Sequence, residues 1–443
     1  MSFPEGIFRS YDIRGLIEEI TPELANRVGS ALVKKTNAKT VVIGRDMRAN
    51  SPELMQAAIK GVTSQGANVI DIGMCTTSLF NFAVSSRSDV DAGMMITASH
   101  NPAEYNGIKM SSGDAMPISG KEMKKLIQEE MLDVENKGSV EMVKVVEDYL
   151  KICMSHVDLP DLSGVKVVVD YGNGMGSVTM SPLLERLGIK YVEMYKEPDA
   201  TFPNHEANPV KDETLADLKK KIVEVEADFG IGLDGDADRI GFVDGSGESV
   251  RGDLMLALMS VEVLKNHPEG KIISAPNQSW KVRELVEAAG GKIVEERIGR
   301  THAIKAMHNE EAALGGEVSS HFFFQEFSNL EAVDYAFLLI LSLWKKSGQS
   351  FADFVAPVRE YSSSGEVNTQ VEDKDTVMKR VEEAYVNKAT KCDKLDGIKC
   401  EFDRDWWFIL RPSNTEPLLR LTVEATSEEL MQEKVREITS LMG

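Results

Sequence analysis

Cysteine is scarce: Cys75, Cys153, Cys392 and Cys400 are all that 443 residues contain, and no two form a Cys-x-x-Cys pair. Four are too few to staple a chain of this length, which excludes a disulfide-framework fold and favours a reducing, cytoplasmic setting. Long hydrophobic runs are also missing. The longest, Ala336-Phe337-Leu338-Leu339-Ile340-Leu341, falls far short of a membrane span and fits a buried helix. The N-terminal Met1-Ser2-Phe3-Pro4-Glu5 lacks the basic-then-apolar order of a secretory signal. Positive charge is in deficit, with 50 Lys and Arg against 71 Asp and Glu and a net charge of −21. That argues against a nucleic-acid or anionic-membrane surface. It does not exclude a small phosphate ligand, because a few arginines in one cleft can oppose the global sign.

The chain is longer than one core usually supports, and its 42% hydrophobic content is ordinary for a globular protein. Residues 1–145 alternate short apolar runs with amphipathic stretches, a βαβ pattern. A second such block covers 146–250 and a third 251–362. The Ser/Gly-rich stretch Tyr361-Ser362-Ser363-Ser364-Gly365 reads as a linker. Beyond it, 363–443 lacks strict alternation and reads as a small α+β domain. The expected architecture is therefore α/β, with three consecutive βαβ-type domains built on mixed sheets and a small α+β C-terminal domain.

Several polar stretches interrupt this pattern. Ala92-Gly93-Met94-Met95-Ile96 runs into Thr97-Ala98-Ser99-His100-Asn101-Pro102, a buried strand delivering Ser99 to a loop. A strand end whose Ser and Asn satisfy a turn is the plain alternative. The Gly-x-Ser-x-Gly elbow of hydrolases is absent, and His100 is a poor base for Ser99 if the segment is extended, since neighbours then point to opposite faces. Asn106-Gly107-Ile108-Lys109 returns the chain beside the serine, where a lysine would be useful against a phosphate. Asp234, Asp236 and Asp238 alternate with Gly235 and Ala237. On an extended segment the three carboxylates share a face and repel one another without a cation. Mg²⁺ suits such a set. An EF-hand does not fit, because Arg239 and Gly245 stand where its glycine and glutamate belong.

Two further stretches complete the candidates. Glu317 and Ser319 on alternate positions would offer a carboxylate and a hydroxyl to a polyol. The loop 411–417 supplies Arg411, Ser413, Asn414 and Thr415, a composition suited to a phosphate dianion. A rival reading starts from Gly172-Asn173-Gly174-Met175-Gly176 after the strand-like 165–170, which invites a dinucleotide-dependent oxidoreductase. The spacing fails by one residue, since Ser177 stands where the third glycine belongs.

Taken together, Phe8-Arg9-Ser10-Tyr11-Asp12-Ile13-Arg14-Gly15, 97–102, Asp234-Gly235-Asp236-Ala237-Asp238-Arg239, Gly316-Glu317-Val318-Ser319-Ser320-His321 and Arg411-Pro412-Ser413-Asn414-Thr415-Glu416-Pro417 resemble, in order, the motifs of the α-D-phosphohexomutase family, closest to its phosphomannomutase/phosphoglucomutase members. The resemblance implies a phosphoserine at Ser99, Mg²⁺ held by Asp234, Asp236 and Asp238 with Ser99, and an activating hexose bisphosphate such as glucose 1,6-bisphosphate. It places Lys109, His321, Arg14 and Arg239 in the catalytic set. Tyr11, Glu317, Ser319, Arg411, Ser413, Asn414 and Thr415 would contact substrate. Partners would be small hexose phosphates, with no nucleic acid or membrane, and the assembly a monomer or small homo-oligomer. Ser320 departs from the usual glycine, which can reach backbone angles that serine reaches only with strain. Val318 stands where phosphoglucosamine mutases often carry Gln, and that enzyme is the nearest alternative. A non-catalytic sugar-phosphate binder would need the sugar and phosphate loops but have no use for Ser99 beside three aspartates.

Overall fold

The computed structural model describes residues 3–129, 132–413 and 417–443. It divides into two compact units: Met1–Gly252 with Ser319–Ala352, and Asp253–Val318 with Asp353–Gly443. This division runs through the expected third block, 251–362.

In the first unit the apolar run Ala92–Ile96 forms a strand buried at every position, as a strand inside a helix-covered sheet should be. It pairs in parallel with Thr40–Arg45, which pairs in parallel with Asn68–Met74. On its other side Tyr105–Ser112 runs antiparallel and brings Lys109 opposite Met95. Ile13–Leu16 closes that edge and carries Arg14. The helices of this sheet start on sequence-encoded caps. Thr21 and Thr76 accept hydrogen bonds from the backbone N–H groups of Leu24 and Leu79, and Ser119 with Glu122 forms a capping box on Gly120–Gln128.

A second sheet runs Ser249–Val250, Ile240–Asp244, Phe229–Leu233, Lys166–Asp170, Lys190–Met194. Phe229–Leu233 and Ile240–Asp244 form an antiparallel hairpin with Leu233 opposite Ile240, so the aspartate triplet is the hairpin's loop. The helix Val333–Ser347 contains the longest apolar run, and every residue of that run is buried. Before it, Phe322–Phe324 pairs antiparallel with Leu330–Glu331.

The second unit has parallel strands Lys292–Glu295, Lys271–Ser274 and Leu314–Gly316. It also has an antiparallel sheet of Ser362–Ser363, Leu418–Ala425, Trp406–Pro412, Ile398–Phe402 and Lys391–Asp393, with Val367–Gln370 added beside Leu418–Ala425. Mixed sheets and a C-terminal α+β segment are thus present as expected. The linker reading of 361–365 needs correction, because Ser362 and Ser363 pair with Ala425 and Glu424. The unit is also tied across that stretch by buried polar contacts. Trp280 donates its backbone N–H to Glu424 Oε1 (3.0 Å) and its Nε1–H to Glu401 Oε2 (2.9 Å), while Trp407 Nε1 shares Glu424 Oε1 (3.0 Å). Cys392 and Cys400 face each other in register and are disulfide-bonded. This is one local link, which cross-strand neighbours eight residues apart do not announce in sequence, whereas Cys75 and Cys153 are free and buried.

Candidate active site

Ser99 sits just past the end of the strand Ala92–Ile96 with a left-handed backbone, φ +52°. Its own N–H is held by Thr97 Oγ1 at 2.9 Å. The left-handed residue turns the chain, so the extended-segment argument against His100 fails: His100 Nδ1 lies 3.2 Å from Ser99 Oγ. Burial, and then the cations Arg239 and Arg14, push the His100 imidazolium down to about 2. A ring that resists protonation this strongly is a neutral hydrogen-bond partner and a weak base.

Arg48, not singled out by the sequence, holds the serine loop in place. It is buried and donates to four carbonyls of the serine loop: Pro102 O (2.7 Å), Tyr105 O (2.8 Å), Ser99 O (2.9 Å) and Asn101 O. Asp46, 3.2 Å from its Nε, compensates its charge. A fully buried guanidinium spends its fork of donors where loop carbonyls have no other partners. No local pattern around Arg48 announces this, because its partners lie about fifty residues away.

The aspartates converge, but for a different reason from the one expected. Residues 234–239 are a tight turn, not an extended segment, with Ala237 at φ +50°. Asp234 Oδ1 accepts the N–H groups of Asp238 (3.0 Å) and Arg239 (3.2 Å), curling the loop on itself. Asp234 Oδ2 accepts from Ser99 Oγ at 3.1 Å. Lys109 Nζ bonds Asp236 Oδ2 and Asp238 Oδ2, each at 2.7 Å, and Thr77 Oγ1 bonds Asp236 Oδ2 at 2.6 Å. Gly235 is required by packing, since a Cβ there would lie 2.4 Å from Ser99 O. The glycine turn 172–176 backs this loop, with Met175 N donating to Gly235 O at 2.9 Å. A Cβ on Gly174 would crowd the carbonyls of Gly235 and Asp234. Close backbone approach therefore accounts for this glycine, with no dinucleotide needed.

The triplet fits a divalent cation. One oxygen from each of Asp234, Asp236 and Asp238 lies within 4.8 Å of the others, and all three residues are buried. Burial, and then Asp238 and Asp236, hold the Asp234 carboxyl well above the usual carboxylate range, against the opposing charges of Arg239 and Lys109. Asp236 Oδ1 is buried with no hydrogen-bond partner among the described residues. Three hard oxygens, one of them otherwise unmet, match Mg²⁺ better than a soft metal.

Arg14 is buried, held by Asp12 Oδ2 through Nε (3.0 Å), and reaches Asn101 Oδ1 at 2.8 Å through NH1, so it meets the serine loop. Tyr11 is half exposed, its ring 5.4 Å from the Arg14 guanidinium carbon. Arg239 Nε donates to His321 Nε2 at 3.0 Å. The first unit thus gathers Ser99, Lys109, Arg14, Arg239, His321 and the three aspartates.

The remaining candidates are placed differently. Glu317 is buried in the second unit, accepting the N–H of Gly299 at 2.9 Å. It follows the strand Leu314–Gly316, and residues 318 and 319 form a turn, so the alternation argument does not hold for Glu317 and Ser319. Ser319 begins the other segment of the first unit. In the second unit Arg411 NH2 is paired with Glu366 Oε2 at 2.8 Å. Ser413 is buried, its N–H on Leu418 O. Asn414 and Thr415 lie outside the described residues.

Comparison with known proteins decides the family. Residues 5–137, 147–247 and 251–361 match the phosphoglucomutase/phosphomannomutase alpha/beta/alpha domains I, II and III, and 366–441 match the C-terminal domain of the same enzymes. The chain belongs to the phosphoglucomutase/phosphomannomutase family. Among curated relatives, phosphohexose mutases from Xanthomonas campestris are 36% identical over 98% of both chains. A phosphomannomutase from Salmonella montevideo is 34% identical over the same shares. A phosphoglucomutase/phosphomannomutase family protein from Burkholderia thailandensis has the same fold, with a TM-score of 0.90 and 28% identity over 99% of this chain and 97% of that one. This phosphoglucomutase/phosphomannomutase family member is an enzyme of the phosphotransferase/mutase type acting in carbohydrate metabolism, which removes the oxidoreductase and the non-catalytic binder from consideration. Among its described residues no helix is long and apolar enough to cross a membrane.

Proposed function

We propose that this phosphoglucomutase/phosphomannomutase family enzyme interconverts hexose 1-phosphate and hexose 6-phosphate, of mannose, glucose or both, through a phosphoserine at Ser99 and a hexose 1,6-bisphosphate. The observation that carries this reading is Ser99 Oγ at 3.1 Å from Asp234, the first of three buried aspartates of which Lys109 bridges the other two. In the first transfer the P–O bond to Ser99 Oγ breaks as one forms to the free sugar hydroxyl, whose proton passes to a basic group. The bisphosphate turns round, its other phosphoryl group returns to Ser99 Oγ, and a proton returns to the sugar oxygen freed. Little covalent chemistry is asked of the protein. Positioning and charge neutralisation dominate. Arg48 fixes the serine loop, and Lys109 and Arg14 supply positive charge beside it. Lys109, His321 and Arg14 are the candidates for moving the sugar proton, and Arg239 donates to His321 Nε2. Mg²⁺ held by Asp234, Asp236 and Asp238 supplies neutralisation of the phosphoryl oxygens when bound. Arg411 with Ser413, Asn414 and Thr415 takes the non-reacting phosphate, and Tyr11, Glu317 and Ser319 contact the sugar. The four sequence blocks ending at 145, 250, 362 and 443 carry, in order, the serine, the cation, the sugar and the phosphate. The setting is cytoplasmic, and the enzyme acts on hexose phosphates as a monomer or small homo-oligomer.

A substrate panel with glucose 1,6-bisphosphate as activator tests the reading. Glu317 and Ser319 on the C3 and C4 hydroxyls would read what glucose and mannose share, while galactose inverts C4. An unmet buried hydrogen bond costs about 1–3 kcal/mol, roughly a tenfold to hundredfold loss of rate. Glucose and mannose 1-phosphates should therefore show kcat/KM within about tenfold of each other, with galactose 1-phosphate lower than both by at least that factor. Turnover confined to glucosamine 1-phosphate would replace this reading with a phosphoglucosamine mutase, and equal galactose and glucose rates would remove Glu317 and Ser319 from the sugar.

A further inference from the structure

We infer that Asp396, which has no place in the proposed chemistry, is a positioning residue for Glu317 and thereby for the reading of the sugar. Both residues belong to the second unit. They meet at the bend 298–299, between the strand Lys292–Glu295 and the helix Arg300–Asn309. Asp396 Oδ2 accepts the N–H of Ile298 at 3.3 Å, and Glu317 Oε1 accepts the N–H of the next residue, Gly299, at 2.9 Å. A bend between elements offers its N–H groups no ladder partner, so side chains must supply the acceptors. Gly299 shows what this bend demands, with φ +133° and ψ 134°, a backbone that residues with a Cβ rarely adopt. Such a conformation persists only where its surroundings hold it, and here carboxylates hold two successive N–H groups. Loss of Asp396 therefore frees the peptide on which Glu317 Oε1 rests.

Asp396 is itself firmly placed. It lies in the turn 394–397, which joins the strands Lys391–Asp393 and Ile398–Phe402. Before it, Leu395 donates its N–H to Asp393 Oδ1 at 2.8 Å. After it, Gly397 has φ +97°, and a Cβ there would lie 2.4 Å from Leu410 O and 2.8 Å from Arg411 Cβ. The strands on either side of the turn stay in register, with the Cys392–Cys400 disulfide across them. The turn is thus pressed against the strand that carries Arg411. One position packs on the residue proposed for the phosphate, and its neighbour holds the bend that supports the residue proposed for the sugar. Asp396 therefore sets where Glu317 stands relative to Arg411.

The effect on turnover rests on the proposed mutase reading, in which Glu317 contacts the sugar, whereas the hold of Asp396 on the bend does not. Amide hydrogen exchange on the ligand-free protein, read at residues 298 and 299, tests that hold. Both amides should be protected in the wild type and exchange at least about tenfold faster in Asp396→Ala. Asp396→Asn should keep the protection, because its amide oxygen still accepts. Kinetics test the effect on the sugar. With glucose 1-phosphate, Asp396→Ala should raise KM about tenfold with kcat within about threefold, the pattern of an interaction lost equally from ground and transition states. Galactose 1-phosphate, already imperfectly paired, should lose less, so that the ratio of the two kcat/KM values narrows by at least about threefold. Asp396→Asn should return KM and that ratio to within about threefold of the wild type. An Ile298 amide that exchanges like that of an open chain in the wild type would overturn the inference, even if Asp396→Ala fails to fold. So would unchanged exchange at 298 and 299 in that variant, or equal losses for the two sugars, which a general loosening of the fold would give. A chain that turns over no hexose phosphate yet shows the expected exchange would overturn the proposed function and leave the hold of Asp396 on the bend standing.

Discussion

Ser320 holds a left-handed backbone, φ +66°, at a buried position whose carbonyl accepts the N–H of Ile240 at 3.2 Å. That conformation costs an L residue about 1–2 kcal/mol, and the family resemblance places a glycine there. Ser320→Gly relieves the backbone but frees the unfolded chain by about 0.4–1 kcal/mol, so urea denaturation should find it unchanged or more stable by up to about 1.6 kcal/mol. Ser320→Val should lose about 1–2 kcal/mol, because a β-branched side chain tolerates the left-handed region worst. A glycine variant less stable than wild type by more than about 1 kcal/mol would show that the strain is not there. Ser99 and Ala237 share the left-handed backbone, and with Ser320 they place three such residues in the motifs assigned to the proposed site, where such strain is common. The identities of these residues were readable in the sequence. Their backbone angles were not, and the closeness of His100 to Ser99 Oγ depends on the turn Ser99 makes.

At the level of elements, the hairpin Phe229–Leu233 and Ile240–Asp244 explains how three like charges are held together, since its loop uses Asp234 to bind its own backbone. Its packing against the serine loop leaves no room at Gly235. Gly235→Ala should therefore cost about 1–3 kcal/mol of stability by overpacking and lower kcat at least about tenfold by displacing Ser99 from the aspartates. Wild-type kinetics and stability in that variant would mean the two loops separate freely. A second element-scale test concerns Asp334 in the first turn of Val333–Ser347. Burial raises its carboxyl from 3.8 to about 6. The folded state therefore holds this proton more tightly than the unfolded state. Its contribution is fully present below about pH 4, is lost as pH rises towards 6, and stays lost above, a change on the order of 3 kcal/mol. Asp334→Asn should remove that slope and be more stable than wild type near pH 7, measured by denaturation at several pH values. A variant that keeps the wild-type slope would assign the dependence to another group. Strands and helices were legible from apolar runs and caps because those signals are local. The clamp of Arg48 on the serine loop and the tie of Trp280 to Glu424 were not, because each joins residues far apart in sequence.

For the whole molecule, a net charge of −21 means that the proposed phosphate chemistry depends on cations concentrated locally. Arg14, Arg48, Lys109 and Arg239 stand around Ser99 in one unit, while Arg411 and Arg420 share Glu366 in the other. The division into those units was not legible from the 361–365 stretch, because a Ser/Gly-rich composition says nothing about whether a partner strand will pair with it. Whether Ser99 carries the transferred phosphate is decided by intact-mass analysis with peptide mapping after incubation with glucose 1,6-bisphosphate. One added phosphoryl group should be found on Ser99 and none on Ser99→Ala, and that variant should lose turnover. A phosphoryl group on another residue, or Ser99→Ala activity within about a factor of ten of wild type, would contradict it.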